Sequence, residues 1–101
     1  MRIVLIGQAA FAKDTLSALI ENKENVVGVF CPPDKDSSKP DPVKSLSLEH
    51  SINVLQFNRM RSEDAINAFK ELEPDLCVMA FVTDIVPNQM LEYPKFGTIQ
   101  Y

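Results

Sequence analysis

The amino-acid sequence predicts an α/β protein built on a doubly wound, mostly parallel sheet, and three observations carry that prediction. Residues 76–80, Leu-Cys-Val-Met-Ala, are apolar without alternation, the pattern of a strand covered by helices on both faces. Residues 2–6 and 26–31 repeat that pattern and are rich in branched side chains. Between such runs lie segments with apolar residues at helical spacing, so strand and helix alternate along the chain.

Taken in order, residues 2–6 form a buried first strand that stops at Gly7, where a tight turn feeds a helix. From Phe11 onward, Phe11, Leu16, Leu19 and Ile20 share one helical face, while Lys13, Asp14, Ser17 and Glu21 fall away from it. A polar run from Asn22 ends this helix, and the second strand follows at 26–31. Residues 32–42 carry four prolines and no large apolar side chain, which makes them an exposed loop. Asp41 followed by Pro42 is a helix start, with Asp as N-cap and Pro at the first helical position. That helix runs to about His50, and residues 52–57 supply a third strand. Asn53 and Gln56 suit it to a sheet edge.

Residues 58–61 connect it to a helix capped by Ser62, whose first turn holds Glu63 and Asp64 at the positive end of the helix dipole. Ala65, Ile66, Phe69 and Leu72 form its apolar stripe, and Glu73-Pro74 stops it. The strand at 76–80 comes next, then a short helical turn over 87–93 and a fifth strand over 97–101. These elements assemble as a Rossmann-like sheet with the spatial order third, second, first, fourth, fifth. Its switch point lies between the first and fourth strands, where ligands of open α/β sheets bind. The turn at 7–10 and the loop at 81–86 therefore face one crevice, although they share no sequence neighbourhood.

One hundred and one residues make a single domain, and 46% apolar with 24% charged residues is the composition of an ordinary globular chain. No apolar stretch approaches the ~20 residues that span a bilayer, and no leader pattern is present, so the expectation is a cytoplasmic protein without membrane contact. A net charge of −4 disfavours a broad phosphate-binding surface, hence a nucleic-acid partner on these residues. Cys31 and Cys77 fall in apolar runs without metal-ligand spacing and read as buried free thiols. No metal site is expected, and His50, at a helix end, reads as a surface residue rather than a partner for Cys77.

The first turn, Gly7-Gln8-Ala9-Ala10-Phe11-Ala12, offers G-x-A-x-x-A where the dinucleotide fingerprint is G-x-G-x-x-G. The methyl group of Ala9 stands where a pyrophosphate needs close backbone approach. Phe30, Cys31, Pro32 and Pro33 occupy the place of the ribose-binding acid, and Asp34 comes too late. The sequence argues against NAD.

Four stretches taken together resemble the formyl-transferase family, which includes methionyl-tRNA formyltransferase and the hydrolase domain of formyltetrahydrofolate dehydrogenase. They are RIVLIGQAAF, NVVGVFCPPDKD with the downstream Asp41-Pro42, PDLCVMAFVTDIVP and the terminal FGTIQY. The short loop after Asp34-Lys35-Asp36 is closer to the dehydrogenase-type hydrolase branch. The resemblance spans the chain and implies the front half of an N-terminal, Rossmann-like formyl-transferase domain, with 10-formyltetrahydrofolate as substrate and no metal. It implies that Asp84, Ile85 and Val86 line the pterin, with Phe81, Val82 and Thr83 completing the wall. A flat heterocycle with polar edges suits apolar side chains plus a few fixed backbone groups.

The resemblance also implies catalysis by Asn, His and Asp, which stabilise a tetrahedral intermediate and move protons. The Asn falls at Gln100; the His would follow directly after Tyr101, and the Asp later still. The expectation is folate-dependent formyl transfer or hydrolysis whose catalytic residues lie beyond Tyr101. Two rival readings are a non-catalytic module binding a small molecule or nucleotide, and an assembly domain of the same ancestry.

Overall fold

Alternate residues of the first strand are buried on opposite faces, and that alternation divides the molecule into two apolar layers around one sheet. The computed structural model describes residues 1–35 and 39–101; Asp36 of the loop motif lies outside them. In chain order the elements are β1 (Arg2–Gly7), α1 (Ala9–Glu21), β2 (Asn25–Cys31), α2 (Pro42–Glu49), β3 (Val54–Gln56), α3 (Glu63–Glu71), β4 (Leu76–Ala80), α4 (Asn88–Leu91) and β5 (Thr98–Gln100). Every strand pair is parallel, in the expected order β3-β2-β1-β4-β5.

Ile3 and Leu5 of β1 pack with Leu16 of α1, Val43 of α2, Val29 and Val78 on one face. Val4 and Ile6 pack with Phe30, Phe69 of α3, Cys77 and Met90 of α4 on the other. With helices on both faces, β1 and β4 have no wet side, which is why their sequences do not alternate. β5 is an edge, and Ile99 is half exposed there. The edge strand β3 is shorter than its apolar run suggests: it covers only Val54–Gln56, with the Asn53 carbonyl accepting from the Val29 amide at its start.

The caps follow the expectation: the Asp41 carboxylate accepts from the Val43 amide at 2.9 Å and the Ser62 hydroxyl accepts from the Ala65 amide at 3.2 Å. In α3, Ala65, Ile66 and Phe69 are buried and Leu72 half-buried. The described parts of the proline-rich loop, residues 32–35 and 39–40, are exposed as expected.

Two local expectations are overturned. Helix α1 begins at Ala9 rather than Phe11, and it buries Ala12, Thr15 and Leu16 while Phe11 stays 47% exposed. The reason lies in the strand ends: Ala12 packs into the gap above Gly7, a space too small for an aromatic ring. Phe11 instead meets the Tyr101 ring edge-on at 6.0 Å. Gly7, for its part, is the last residue of β1 and not a turn residue. A Cβ there would overlap the Ala80 carbonyl oxygen and stand 2.9 Å from the Ala12 Cβ. The glycine is required by the close approach of β1, β4 and α1.

These contacts predict that Gly7→Ala lowers stability by about 1–3 kcal/mol through overpacking against backbone. Gly97 has open space around it but a φ of 77°, so Gly97→Ala should cost only the left-handed backbone term, about 1–2 kcal/mol. Urea denaturation of both variants checks the ranking, and a Gly7→Ala variant as stable as the parent would contradict the packing account.

Candidate functional site

The site begins at the carboxyl ends of β1 and β4, where the chain leaves neighbouring strands in different directions. Between the loops a cavity of about 300 Å³ opens. Ile6, Phe30, Phe57 and Met60 give it an apolar floor, and Gln8, Asn58, Thr83 and Asp84 a polar rim. That mixture is what a flat ligand with polar edges needs.

The loop following β4 starts under strain. Phe81 has a φ of 56°, a left-handed conformation that costs a side-chain-bearing residue roughly 1–2 kcal/mol. What offsets it is Asp84: one carboxylate oxygen accepts from the Met60 amide at 2.7 Å and the other from the Ile85 amide at 2.8 Å. Asp84 thereby straps the loop to the connection after β3. Both oxygens are engaged with backbone, so the turn-forming role of this residue is realised in the structure. Thr83 and Gln8 face each other across the rim, with their side-chain oxygens 3.5 Å apart.

Of the six residues proposed for the wall, Val82, Thr83 and Asp84 line this cavity together. Phe81 and Val82 border a broader depression on the other side of the loop, with Phe11, Gln100 and Tyr101. Ile85 is 65% exposed and Val86 packs beneath the loop against the core that contains Phe69 and Met90. Sequence reasoning placed the 7–10 turn, and with it Gln8, at this crevice, but did not include Phe30, Cys31, Phe57, Asn58 or Met60 in the wall. The available signal was topological: the carboxyl ends of β2 and β3 lie beside those of β1 and β4, so their following residues reach the same crevice.

The opposite rim is the start of α1. Gln8 is extended and makes no side-chain cap, while Ala9 has a φ of 66°. The Ala9 amide is met by Asp41, whose two carboxylate oxygens both lie 2.9 Å from it. Asp34, considered above for a ribose, instead pairs with Lys44 and accepts from the Gln56 side-chain amide at 2.9 Å. Those bonds hold its carboxyl below the usual range.

Cys31 and Cys77 are buried free thiols. Burial, helped by the nearby Asp41 charge, pushes the Cys31 thiol up to about 11, and burial pushes Cys77 up to about 12. Neither is a nucleophile at neutral pH. His50 ends α2 at the surface, whereas Cys77 lies in the core layer that α3 and α4 cover, so the two form no pair. No group of three or more His, Cys, Asp or Glu side chains among the described residues is arranged to hold a metal ion. No described helix is long and apolar enough to cross a membrane.

Comparison with known proteins bears on this architecture directly. A family model described as formyl transferase matches residues 1–101. The chain is 38% identical to methionyl-tRNA formyltransferases of Geotalea daltonii and Geobacter sulfurreducens, over 98% of its own length and 33% of theirs. The relative from Alkaliphilus oremlandii gives 38% identity over 98% of this chain and 34% of that protein. The chain thus spans about a third of the length of these curated relatives. The crystal structure of phosphoribosylglycinamide formyltransferase from Bacillus halodurans superimposes with a TM-score of 0.74 at 15% identity, over 99% of this chain and 55% of that one. At that identity the likeness is one of fold.

Two measurements test this geometry. Asp84→Ala removes the acceptor for two amides and should cost about 1–3 kcal/mol, while Asp84→Asn, which keeps one acceptor oxygen, should lose less; thermal melts order the three proteins. For the thiols, the ordinary value is 9.0 and the folded values are higher, so above pH 9 the unfolded chain releases its protons first. Their contribution to stability is complete below pH 9 and is lost as pH rises toward about 11 for Cys31 and about 12 for Cys77. Urea midpoints across that range should fall in the parent and fall less in a Cys31→Ala/Cys77→Ala variant.

Proposed function

We propose, because this chain belongs to the formyl transferase family, that it carries the pterin-binding wall of a site where 10-formyltetrahydrofolate gives up its formyl group by transfer or hydrolysis. The observation that carries this reading is the loop after β4. Its backbone is strapped in place by Asp84, yet it presents the apolar side chains of Phe81 and Ile85 to solvent, 52% and 65% exposed. A rigid loop that displays apolar surface at a switch point is suited to a flat heterocycle, since little ordering entropy remains to be lost on binding.

Gln100, at the position where the family resemblance has Asn, borders the same depression as Phe81 and Val82. A pterin laid on the loop would direct its formyl-bearing arm toward that depression, where a side-chain amide can donate to a developing oxyanion. In formyl transfer the acceptor adds to the formyl carbon, a tetrahedral intermediate forms, and the folate nitrogen leaves with a proton. On this reading His and Asp side chains outside these 101 residues move the protons, and the present segment binds and orients.

The relatives named above differ by name in their acceptors, one being a tRNA enzyme and the other a phosphoribosylglycinamide enzyme. On this reading the acceptor makes its contacts outside this segment, in keeping with its net charge of −4. Two buried free thiols fit a reducing, cytoplasmic setting.

The test is calorimetric titration of a formyl-folate analogue into the protein that carries this segment. Ile85→Asp should weaken binding by a few kcal/mol, roughly the lost apolar contact plus an unpaired charge, while leaving the melting temperature in place because the side chain is exposed. Leu48→Ala, at a residue also more than half exposed but on α2, should leave affinity alone. Unchanged affinity in the Ile85 variant, or affinity lost only together with the fold, would make the loop structural.

A further inference from the structure

The loop after β4 is moored to a post that lies outside it. Among the described residues, its shortest hydrogen bond to another segment runs from the Met60 amide to one Asp84 carboxylate oxygen, 2.7 Å long and 24 residues back in sequence. Met60 is itself held from behind. Its side chain is 6% exposed and packs in the core layer of Phe69 and Met90, which also takes Val82 and Val86 from the loop. Two residues on, Ser62 caps α3 by accepting from the Ala65 amide at 3.2 Å, and its own amide donates to the Arg59 carbonyl at 3.1 Å. Residues 59–62 are thus a closed turn fastened to the start of a helix. The 300 Å³ cavity opens between this segment, which supplies Asn58 and Met60, and the loop, which supplies Val82 and Thr83. Asp84 bridges the two.

We propose that Asp84 is a positioning residue: through the Met60 amide it sets where the loop holds Phe81 and Ile85, so that the crevice is shaped from the capped turn at 59–62. Phe81 sits in the left-handed region at φ 56°, a conformation that a side-chain-bearing residue keeps only when its surroundings impose it. Without the bridge, the chain between Ala80 and Ile85 is free to relax and to carry both apolar side chains with it. A charge-assisted bond to backbone is strong enough to impose the strained form. On the reading that the ligand is a formyl folate, Met60 then governs its affinity by way of Asp84, since binding to a loop already in place loses less ordering entropy.

The decisive change lies at the far end of the bond. Introducing Met60 as its α-hydroxy analogue makes the Arg59–Met60 linkage an ester, which deletes the N–H that Asp84 accepts and leaves every side chain unchanged. Hydrogen exchange of the Ile85 and Val86 amides, measured without ligand on the protein that carries this segment, should quicken by about tenfold or more, while the amides of β1 and β4 keep their protection. A general loss of stability would quicken all of them together. An ester at position 62 removes only the Ser62 donor to the Arg59 carbonyl and should quicken the loop amides less. In calorimetric titration with a formyl-folate analogue, the Met60 ester and Asp84→Asn should each bind about tenfold more weakly, and the two combined no more weakly still. Should the Met60 ester not fold, Asp84→Glu, which keeps the charge and displaces the oxygens, should loosen the same amides. Unchanged loop exchange in the ester or Glu protein, an equal effect of the position-62 ester, or weaker binding by Asp84→Asn that the Met60 ester does not share would overturn the proposal. Faster loop exchange in a protein whose parent binds no folate would support the hold of Asp84 on the loop and overturn the folate reading instead.

Discussion

The structure depends on how closely the first and fourth strands approach each other at their carboxyl ends. Parallel pairing of Gly7 with Ala80 brings the Ala80 carbonyl against a position that has no room for a side chain, and the Gln8 amide donates to that same carbonyl at 3.3 Å. From this point the chain diverges, toward α1 on one strand and into the 81–86 loop on the other. The crevice between them is the gap that divergence leaves. A larger residue at position 7 would spread the strands and, with them, both rims.

Divergence alone would leave two loose loops, and two aspartates prevent that. Asp84 ties the loop after β4 to Met60, and Asp41 ties the start of α1 to the start of α2. In each case a carboxylate accepts from backbone amides of a distant segment, a charge-assisted bond stronger than a neutral one. Each strap lies close to a residue in the left-handed region, Phe81 and Ala9 respectively. At these two positions backbone strain and the bonds that oppose it are therefore found side by side.

The division of polarity follows from the same arrangement. Strand residues facing the two helical layers are apolar and buried, so hydrophobic burial is concentrated below the crevice. Above it, the carboxylates of Asp41 and Asp84 accept from the protein's own backbone amides. Facing outward beside them are apolar surface on Phe81 and Ile85 and the side chains of Gln8, Asn58, Thr83 and Gln100.

The sequence by itself determined the five strands, the caps at Asp41 and Ser62, and the strand order, because each is written in local spacing and in rules of chain connection. It also singled out the crevice, since the position of a switch point follows from strand order alone. Tertiary structure decided the rest. Which face of α1 is buried turned on a small residue, Ala12, fitting above Gly7, whereas hydrophobicity favoured Phe11. The inner wall needed Phe30, Phe57 and Met60, which come from three separate segments. Above all, an aspartate at a turn shows in sequence only its own local amide. Asp84 meets Met60 24 residues earlier and Asp41 meets Ala9 32 residues earlier, and only the packed sheet brings those amides within hydrogen-bond reach.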